Sequence, residues 1–233
     1  MASQATLNAR IAARFAAIDT FVFDLDNTLY PQGSDLWPQI DQRITIYLMN
    51  YLGVDGLTAR ALQKYWYERD GTSLRGLMRN YAIDVPNYLE FVHDIDRSNL
   101  APNLPLAEAI AALPGRCLVL TNGSKLHAER TIAQLGLEGL FEQIFDIEAM
   151  ELVPKPQTAA YEKFFAECAI DPSRAVLFED LPQNLIAPQK AGMLGVLVCP
   201  PGSGHATHAQ VADFVTDDLA GFVAKIVSEV TPR

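Results

Sequence analysis

Five short apolar runs, at residues 20–24, 117–121, 144–146, 175–179 and 195–198, alternate with longer amphipathic stretches, and a weaker sixth run lies at 213–215. This alternation limits the chain's options more than any other feature. Strands separated by helices build a parallel sheet covered on both faces. Near-continuous runs such as Phe21-Val22-Phe23 and Leu118-Val119-Leu120 suit strands buried on both sides. Helices are expected over 125–135, 158–168, 183–191 and 219–229. The predicted fold class is therefore α/β with a parallel-sheet core.

The alternation breaks once. Between Pro31 and Pro105 no strong strand appears, but amphipathic stretches cover 36–52, 57–68, 74–81 and 88–94, separated by Gly53, Gly56, Gly71 and Pro86. The pattern predicts an inserted α-helical domain over 32–104 within a core made of 1–31 and 105–233. Linkers are expected near Pro31-Gln32-Gly33 and over 101–105. At the start of the chain, residues 1–18 are rich in Ala, carry Arg10 and Arg14 and hold no acid, a composition like that of a transit peptide. Leu7, Ile11, Phe15 and Ile18 also form one apolar stripe, so a docked helix is expected, with a targeting segment as the alternative.

Charge narrows the choice of partner. Lys and Arg number 18 against 28 Asp and Glu, a net −10, and no basic cluster stands out. An acidic surface repels a phosphate backbone, so a nucleic-acid polymer is not expected as a partner, whereas a small phosphorylated substrate is compatible with a locally positive site. No apolar run is long enough to span a bilayer. Cys117, Cys168 and Cys199 are odd in number and lack CxxC spacing, which fits reduced, buried thiols and a cytoplasmic location.

Ligands of an open parallel sheet bind beyond the carboxyl ends of its strands. Those ends carry Asp24-Leu25-Asp26-Asn27-Thr28, Thr121-Asn122-Gly123 and Glu179-Asp180, and Lys155 stands between two prolines before the helix leading to the fourth strand. Asp24 and Asp26, two apart, project to one side of an extended chain. Carboxylates that close to one another, with Asp180 and Glu179 added, need a cation, and an all-oxygen ligand set selects a hard ion such as Mg²⁺. Lys155 supplies further positive charge, and Thr121, Asn122 and the loop amides around 25–28 and Gly123 supply donors for phosphoryl oxygens. Two carboxylates with separate tasks suggest that Asp24 attacks phosphorus while Asp26 protonates the leaving oxygen and later activates water.

The segments Phe23-Asp24-Leu25-Asp26-Asn27-Thr28-Leu29, Thr121-Asn122-Gly123, Lys155-Pro156 and Phe178-Glu179-Asp180…Asn184 resemble the four ordered motifs of the haloacid dehalogenase superfamily. The resemblance runs from Thr20 to about Val198, and it implies a Rossmann-like core, an inserted cap after the first motif, Mg²⁺ and an aspartyl-phosphate intermediate. The metal ligands it implies are Asp24, Asp26 through its backbone carbonyl, and Asp180. Many members carry Asp where this chain has Glu179, so contact between Glu179 and the metal, direct or through water, stays open. Dehalogenating members lack an acid at the position of Asp26 and use no metal, so its presence favours phosphate chemistry. Asn184 is expected to support the site from behind or to cap its helix.

A narrower resemblance, carried by Leu29-Tyr30-Pro31, by the run from Gly71 to Leu77 and by Asn122-Gly123-Ser124-Lys125…His127-Ala128, is to the pyrimidine 5′-nucleotidase branch. It implies UMP or CMP as substrates. Thr72, Ser73 and Arg75 would then form a substrate loop at a helix N-terminus; a plain interhelical turn is the alternative. His127 is expected to cap or pack, with substrate approach as the other reading. The HxxH of His205 and His208 lacks partner ligands, and a metal role is not expected there. Tyr47, Tyr51, Tyr65, Trp66 and Tyr67 are expected in the core or on the surface of the insert, one of them free to stack on a base. The function expected is Mg²⁺-dependent phosphomonoester hydrolysis. The alternatives are a phosphatase or phosphomutase acting on a sugar phosphate, or a non-catalytic phosphate-binding module. Monomer and homodimer both remain open.

Overall fold

The computed structural model describes residues 4–203 and 210–230. Strands β1 (Thr20–Phe23), β2 (Arg116–Leu120), β3 (Gln143–Phe145), β4 (Ala175–Glu179), β5 (Leu194–Val198) and β6 (Phe214–Thr216) form one sheet in the order β3-β2-β1-β4-β5-β6, with every neighbouring pair parallel. The order reverses beside β1, the switch point where an open α/β sheet leaves a crevice. The α/β parallel-sheet class read from the alternation, with the Rossmann-like core that the resemblance implies, is the fold observed.

Side chains alternate along each strand and split the core into two apolar layers. Phe21, Phe23, Val119, Val176 and Phe178 face α1 (Gln4–Phe15), α6 (Leu104–Ala111), α7 (Lys125–Leu135) and α10 (Leu219–Val230). Val22, Leu118, Leu120 and Leu177 face α8 (Thr158–Glu167) and α9 (Pro182–Lys190). Phe23 and Phe178 pair in register across β1 and β4 and stack with ring centres 4.6 Å apart. That stack fixes the relative height of the two strand ends that carry Asp24 and Glu179. In α1, Ile11 and Phe15 are buried in the first layer, as the apolar stripe predicts.

Between β1 and α6 lie four helices, α2 (Leu36–Leu52), α3 (Gly56–Asp70), α4 (Ser73–Asn80) and α5 (Val85–His93). Their amphipathic faces meet around Tyr47, Leu48, Trp66, Leu77, Tyr88 and Val92. Each of the last three starts on a side-chain cap: Asp55 accepts from the amides of Leu57 and Thr58, Thr72 from Arg75, and Asp84 from Asn87. Gly76 is required where α4 crosses α3, because a Cβ there would lie 2.2 Å from Cγ of Trp66. Gly71 ends α3 at φ +89, and a Cβ on it would lie 3.3 Å from Pro154 and 3.5 Å from the Lys155 carbonyl. The insert therefore touches the core at the loop that carries Lys155.

One element departs from the sequence reading. Residues 101–105, expected as a linker, run into α6, whose first turn accommodates Pro105 and whose Asn103 side chain caps Leu106. Among the described residues no helix is long and apolar enough to cross a membrane, and the three cysteines are free and buried.

Candidate active site

The polar strand ends converge at the carboxyl edge of β2, β1 and β4, three neighbours in the sheet. Lys155, only 2% exposed, reaches in from the loop after β3. Its Nζ donates to Asp24 Oδ1 at 2.7 Å, to Glu179 Oε2 at 2.8 Å and to the Leu120 carbonyl at 2.9 Å, which uses all three of its protons. Burial disfavours the ammonium, but Asp24 and Glu179 outweigh burial and raise its pKa above the usual lysine value. The second oxygen of Glu179 accepts the Leu181 amide at 3.2 Å.

Asp24, Glu179 and Asp180 are buried and offer carboxylate oxygens within 4.8 Å of one another. One ammonium cannot balance three carboxylates. The imbalance appears in their proton affinities: burial and the Glu179 charge push Asp24 up to about 7, and burial with Glu179 and Asp24 pushes Asp180 up to about 10. A hard divalent cation fits this all-oxygen set and would restore the balance. Gln32, at the entry to the insert, donates to Asp180 Oδ2 over 3.5 Å.

Asp26 belongs to a separate neighbourhood. Its side chain is outside the three-carboxylate cluster, and its Oδ1 accepts the Tyr30 hydroxyl at 2.6 Å and bonds His127 Nε2 at 2.9 Å. Burial raises its pKa, but His127 and Tyr30 outweigh burial and bring it down to about 2. The two aspartates of the first motif are thus shifted in opposite directions because they face different partners.

Gly123, the last residue of the second motif, stands between Asp26, Thr121 and His127. A Cβ there would lie 3.0 Å from the His127 ring, 3.3 Å from Thr121 Oγ1 and 3.7 Å from Asp26 Oδ2, so a side chain would fill the space between them. Thr121 is fully buried and its Oγ1 accepts the Gly123 amide at 2.9 Å. The Asn122 amide group is engaged at both ends: it accepts the Lys155 amide at 2.9 Å and donates to the Lys155 carbonyl at 3.1 Å. Asn122 therefore holds the lysine's backbone. Asn184 is buried at the start of α9, and its carbonyl accepts the Tyr161 hydroxyl at 2.6 Å.

The candidate substrate loop has internal work to do. Ser73 is buried and donates to the Gln63 carbonyl at 3.2 Å, and Thr72 Oγ1 caps α4 through the Arg75 amide at 3.2 Å. Arg75 is half-buried and has no ion-pair partner among the described residues. Tyr47 and Trp66 are buried, whereas Tyr51, Tyr65 and Tyr67 are exposed. Although Tyr67 is 41% exposed, loss of water around its hydroxyl and then the charges of Asp180 and Glu179 raise its pKa. His205 and His208 lie outside the described residues.

Sequence reasoning gave no role to Tyr30 or Arg97 and read His127 as a cap or packing residue, with substrate approach as the alternative. Tyr30 had a local signal, an aromatic hydroxyl four residues after Asp26 in a turn closed by the Leu29 amide on the Leu25 carbonyl. Arg97 donates to His127 Nδ1 from 30 residues away and had none. A cavity of about 800 Å³ also opens at the opposite edge of the sheet, but its Arg116 and Arg174 are paired with Glu142 and Asp19.

Comparison with known proteins agrees with this geometry. Residues 18–192 match the family model described as haloacid dehalogenase-like hydrolase. The protein called Phosphate metabolism protein 8 of Saccharomyces cerevisiae is 32% identical over 134 residues, which are 53% of this chain and 42%, less than half, of that relative. Hexitol phosphatase B of Escherichia coli K12 is 24% identical over 88% of this chain and 94% of its own length. The crystal structure of CbbY from Rhodobacter sphaeroides in complex with phosphate superposes with a TM-score of 0.60 at 20% identity, covering 87% of this chain and 95% of that one. With three quarters of its length matched by the family model and its motif residues gathered at one sheet edge, this chain belongs to the haloacid dehalogenase-like hydrolases.

Proposed function

We propose that the chain is a Mg²⁺-dependent phosphomonoester hydrolase working through an aspartyl-phosphate on Asp24, with residues 32–104 as a cap domain over the site. One observation carries this reading: three buried carboxylates cluster around a single ammonium that bonds only two of them, while a fourth carboxylate is bonded elsewhere. A fold gains nothing from such a charge deficit. A divalent cation bound among the three carboxylates removes it, and leaves the site able to receive a phosphoryl group.

A carboxylate oxygen of Asp24 attacks phosphorus, the bond to the leaving oxygen breaks, and Asp26 gives that oxygen a proton. Asp26 rests as a carboxylate; an arriving phosphoryl dianion raises its proton affinity by like-charge repulsion, and it takes up from solvent the proton that it then gives to the leaving oxygen. In the second step Asp26 takes a proton from water, the water oxygen attacks phosphorus, and Asp24 leaves as a carboxylate with inorganic phosphate. The Thr121 hydroxyl and the amides of 25–28 and Gly123 hold phosphoryl oxygens. Lys155 orients Asp24, and Asn122 holds Lys155 in place. Asp24, Asp180, the Asp26 carbonyl and Glu179, directly or through water, would hold Mg²⁺, which would supply positive charge for the phosphoryl oxygens.

For substrate, the segments that resemble the pyrimidine 5′-nucleotidases favour UMP or CMP. The relative named Hexitol phosphatase B, matched over 88% of this chain, favours a sugar phosphate as the second reading. Phosphate release from UMP, CMP and hexitol phosphates, with and without a chelator, separates them. Turnover is expected to need Mg²⁺ and to fall by about 10⁴-fold or more in Asp24→Asn. Full activity after chelation, or an active Asp24→Asn variant, would sink the mechanism. Faster release from hexitol phosphates than from UMP would remove only the nucleotidase assignment.

A further inference from the structure

The group that sets the acid–base residue has no assigned role, and it starts outside the four motifs. His127 is fully buried near the start of α7. Its Nδ1 lies 2.7 Å from Arg97 Nη2. A guanidinium has only protons to offer, so Nδ1 must present a lone pair, and the ring proton resides on Nε2. Nε2 then donates to Asp26 Oδ1, 2.9 Å away. The Tyr30 hydroxyl donates to the same oxygen at 2.6 Å. Two donors saturate Oδ1, while Oδ2 takes no hydrogen bond from the described residues and faces the Gly123 gap.

Arg97 is itself held. Its Nε donates to Thr131 Oγ1 at 3.2 Å, Nη1 to the Ile95 carbonyl at 3.1 Å and Nη2 to the His93 carbonyl at 3.2 Å. The His93 ring stacks on that of His127, with centres 4.4 Å apart and planes 13° from parallel, and His93 Nδ1 contacts Ser124 Oγ at 3.0 Å. Both residues belong to the chain leaving the insert, His93 as the last residue of α5 and Arg97 four residues on. A histidine buried only for packing needs neither a dedicated guanidinium nor a carboxylate on its far nitrogen.

We propose that His127 and Arg97 are positioning residues for Asp26: Arg97 fixes the tautomer of His127, and His127 with Tyr30 loads Oδ1 so that the exchangeable proton sits on Oδ2. The inference rests on the phosphohydrolase reading above. In the forward step the Oδ2–H bond breaks, its proton passes to the leaving oxygen, and the electron pair of the breaking P–O bond goes to that oxygen. In the second step Oδ2 takes the proton of the attacking water.

The test uses leaving groups of different basicity on the full chain with Mg²⁺. An alkyl phosphate needs its leaving oxygen protonated; 4-nitrophenyl phosphate does not. His127→Leu is expected to lower kcat for the alkyl ester by about 10²–10³-fold, the range of one general acid, with KM nearly unchanged and the nitrophenyl ester slowed far less. Arg97→Met should shift the same ratio in the same direction, by less. His127→Gln, whose amide nitrogen stands near the position of Nε2, should restore most of the alkyl rate. Equal losses on both esters, or no loss, would overturn the inference, and Arg97→Met decides the matter if His127→Leu fails to fold. Should Asp26→Asn discriminate between the esters while His127→Leu and Arg97→Met do not, only the positioning role falls. A wild-type chain that releases phosphate from neither ester overturns the phosphohydrolase reading as well.

Discussion

Asp24 at the end of β1 and Asp70 at the end of α3 are both buried aspartates beside cationic side chains. Asp70 faces two guanidiniums, Arg69 at 2.6 Å and Arg79 at 2.7 Å, and hydrogen bonds from both hold its pKa below 3.8. Asp24 shares one ammonium with Glu179, stands in a cluster with Asp180, and is pushed up to about 7 by burial and by Glu179. The insert has more positive charge around its acid than the acid needs, and the strand ends have less. A surplus of partners serves the fold. A deficit that other residues hold in place points to a ligand not supplied by the chain.

The hardest blow to this contrast is Lys155→Met. It leaves Asp24 and Glu179 buried without their counter-charge and is expected to cost about 3–5 kcal/mol in urea unfolding at neutral pH without metal. Arg79→Ala, from an arginine that is 62% exposed, should cost no more than about 1 kcal/mol. Similar losses from both would erase the distinction between the two regions.

Magnesium and pH give the next effect, with opposite signs in the two regions. The folded-state pKa of Asp24 lies above the ordinary 3.8, so the folded chain holds an extra proton between 3.8 and about 7, and this contribution to stability is lost as pH rises through that window. Asp70 has a depressed value, so its contribution is present above 3.8 and is lost as pH falls below it. Mg²⁺ should remove the loss due to Asp24 and stabilise the chain by about 2.7 kcal/mol at a hundredfold excess over its Kd. Thermal unfolding of the wild type and of Asp180→Asn, with and without Mg²⁺, checks this; an equal gain in both proteins would place the ion elsewhere.

The contrast also explains what the sequence disclosed. Strands could be read to within about a residue because a buried parallel strand has to be apolar throughout, and β4 matches its expected span, 175–179, at both ends. α6 stayed hidden because Pro105 looked like a boundary, although proline is tolerated in a helix's first turn. The strand-end acids were legible because topology dictates where such residues gather. Asn122 was read as a donor for phosphoryl oxygens and Ser73 as part of a substrate loop. Their bonds to Lys155 and Gln63 depend on packing between distant segments, which no local pattern encodes. The link from Arg97 through His127 to Asp26 was hidden for the same reason.

Within the insert, Gly76→Ala tests how tightly its own core is packed. The added methyl would meet Trp66 at 2.2 Å, and overpacking of that kind is expected to cost about 1–3 kcal/mol in chemical denaturation. Turnover per folded molecule should change little, since Gly76 and Trp66 pack against each other rather than at the strand ends. A large loss of kcat with stability unchanged would move this crossing into the site.

The smallest effect, Thr72→Ala, bears most directly on the insert. Its hydroxyl caps α4 through the Arg75 amide, and loss of such a cap costs about 1 kcal/mol. If that is its whole role, Thr72→Ala should lower the unfolding midpoint, Thr72→Ser should restore it, and KM for UMP and for a hexitol phosphate should move together by less than about threefold, under 1 kcal/mol. A change in KM for one substrate but not the other, with Thr72→Ser as active as wild type, would mean the hydroxyl also meets substrate. The insert would then supply a substrate contact of its own, and the division between a region that serves the fold and one that serves a ligand would pass through the N-terminus of α4 rather than between insert and core.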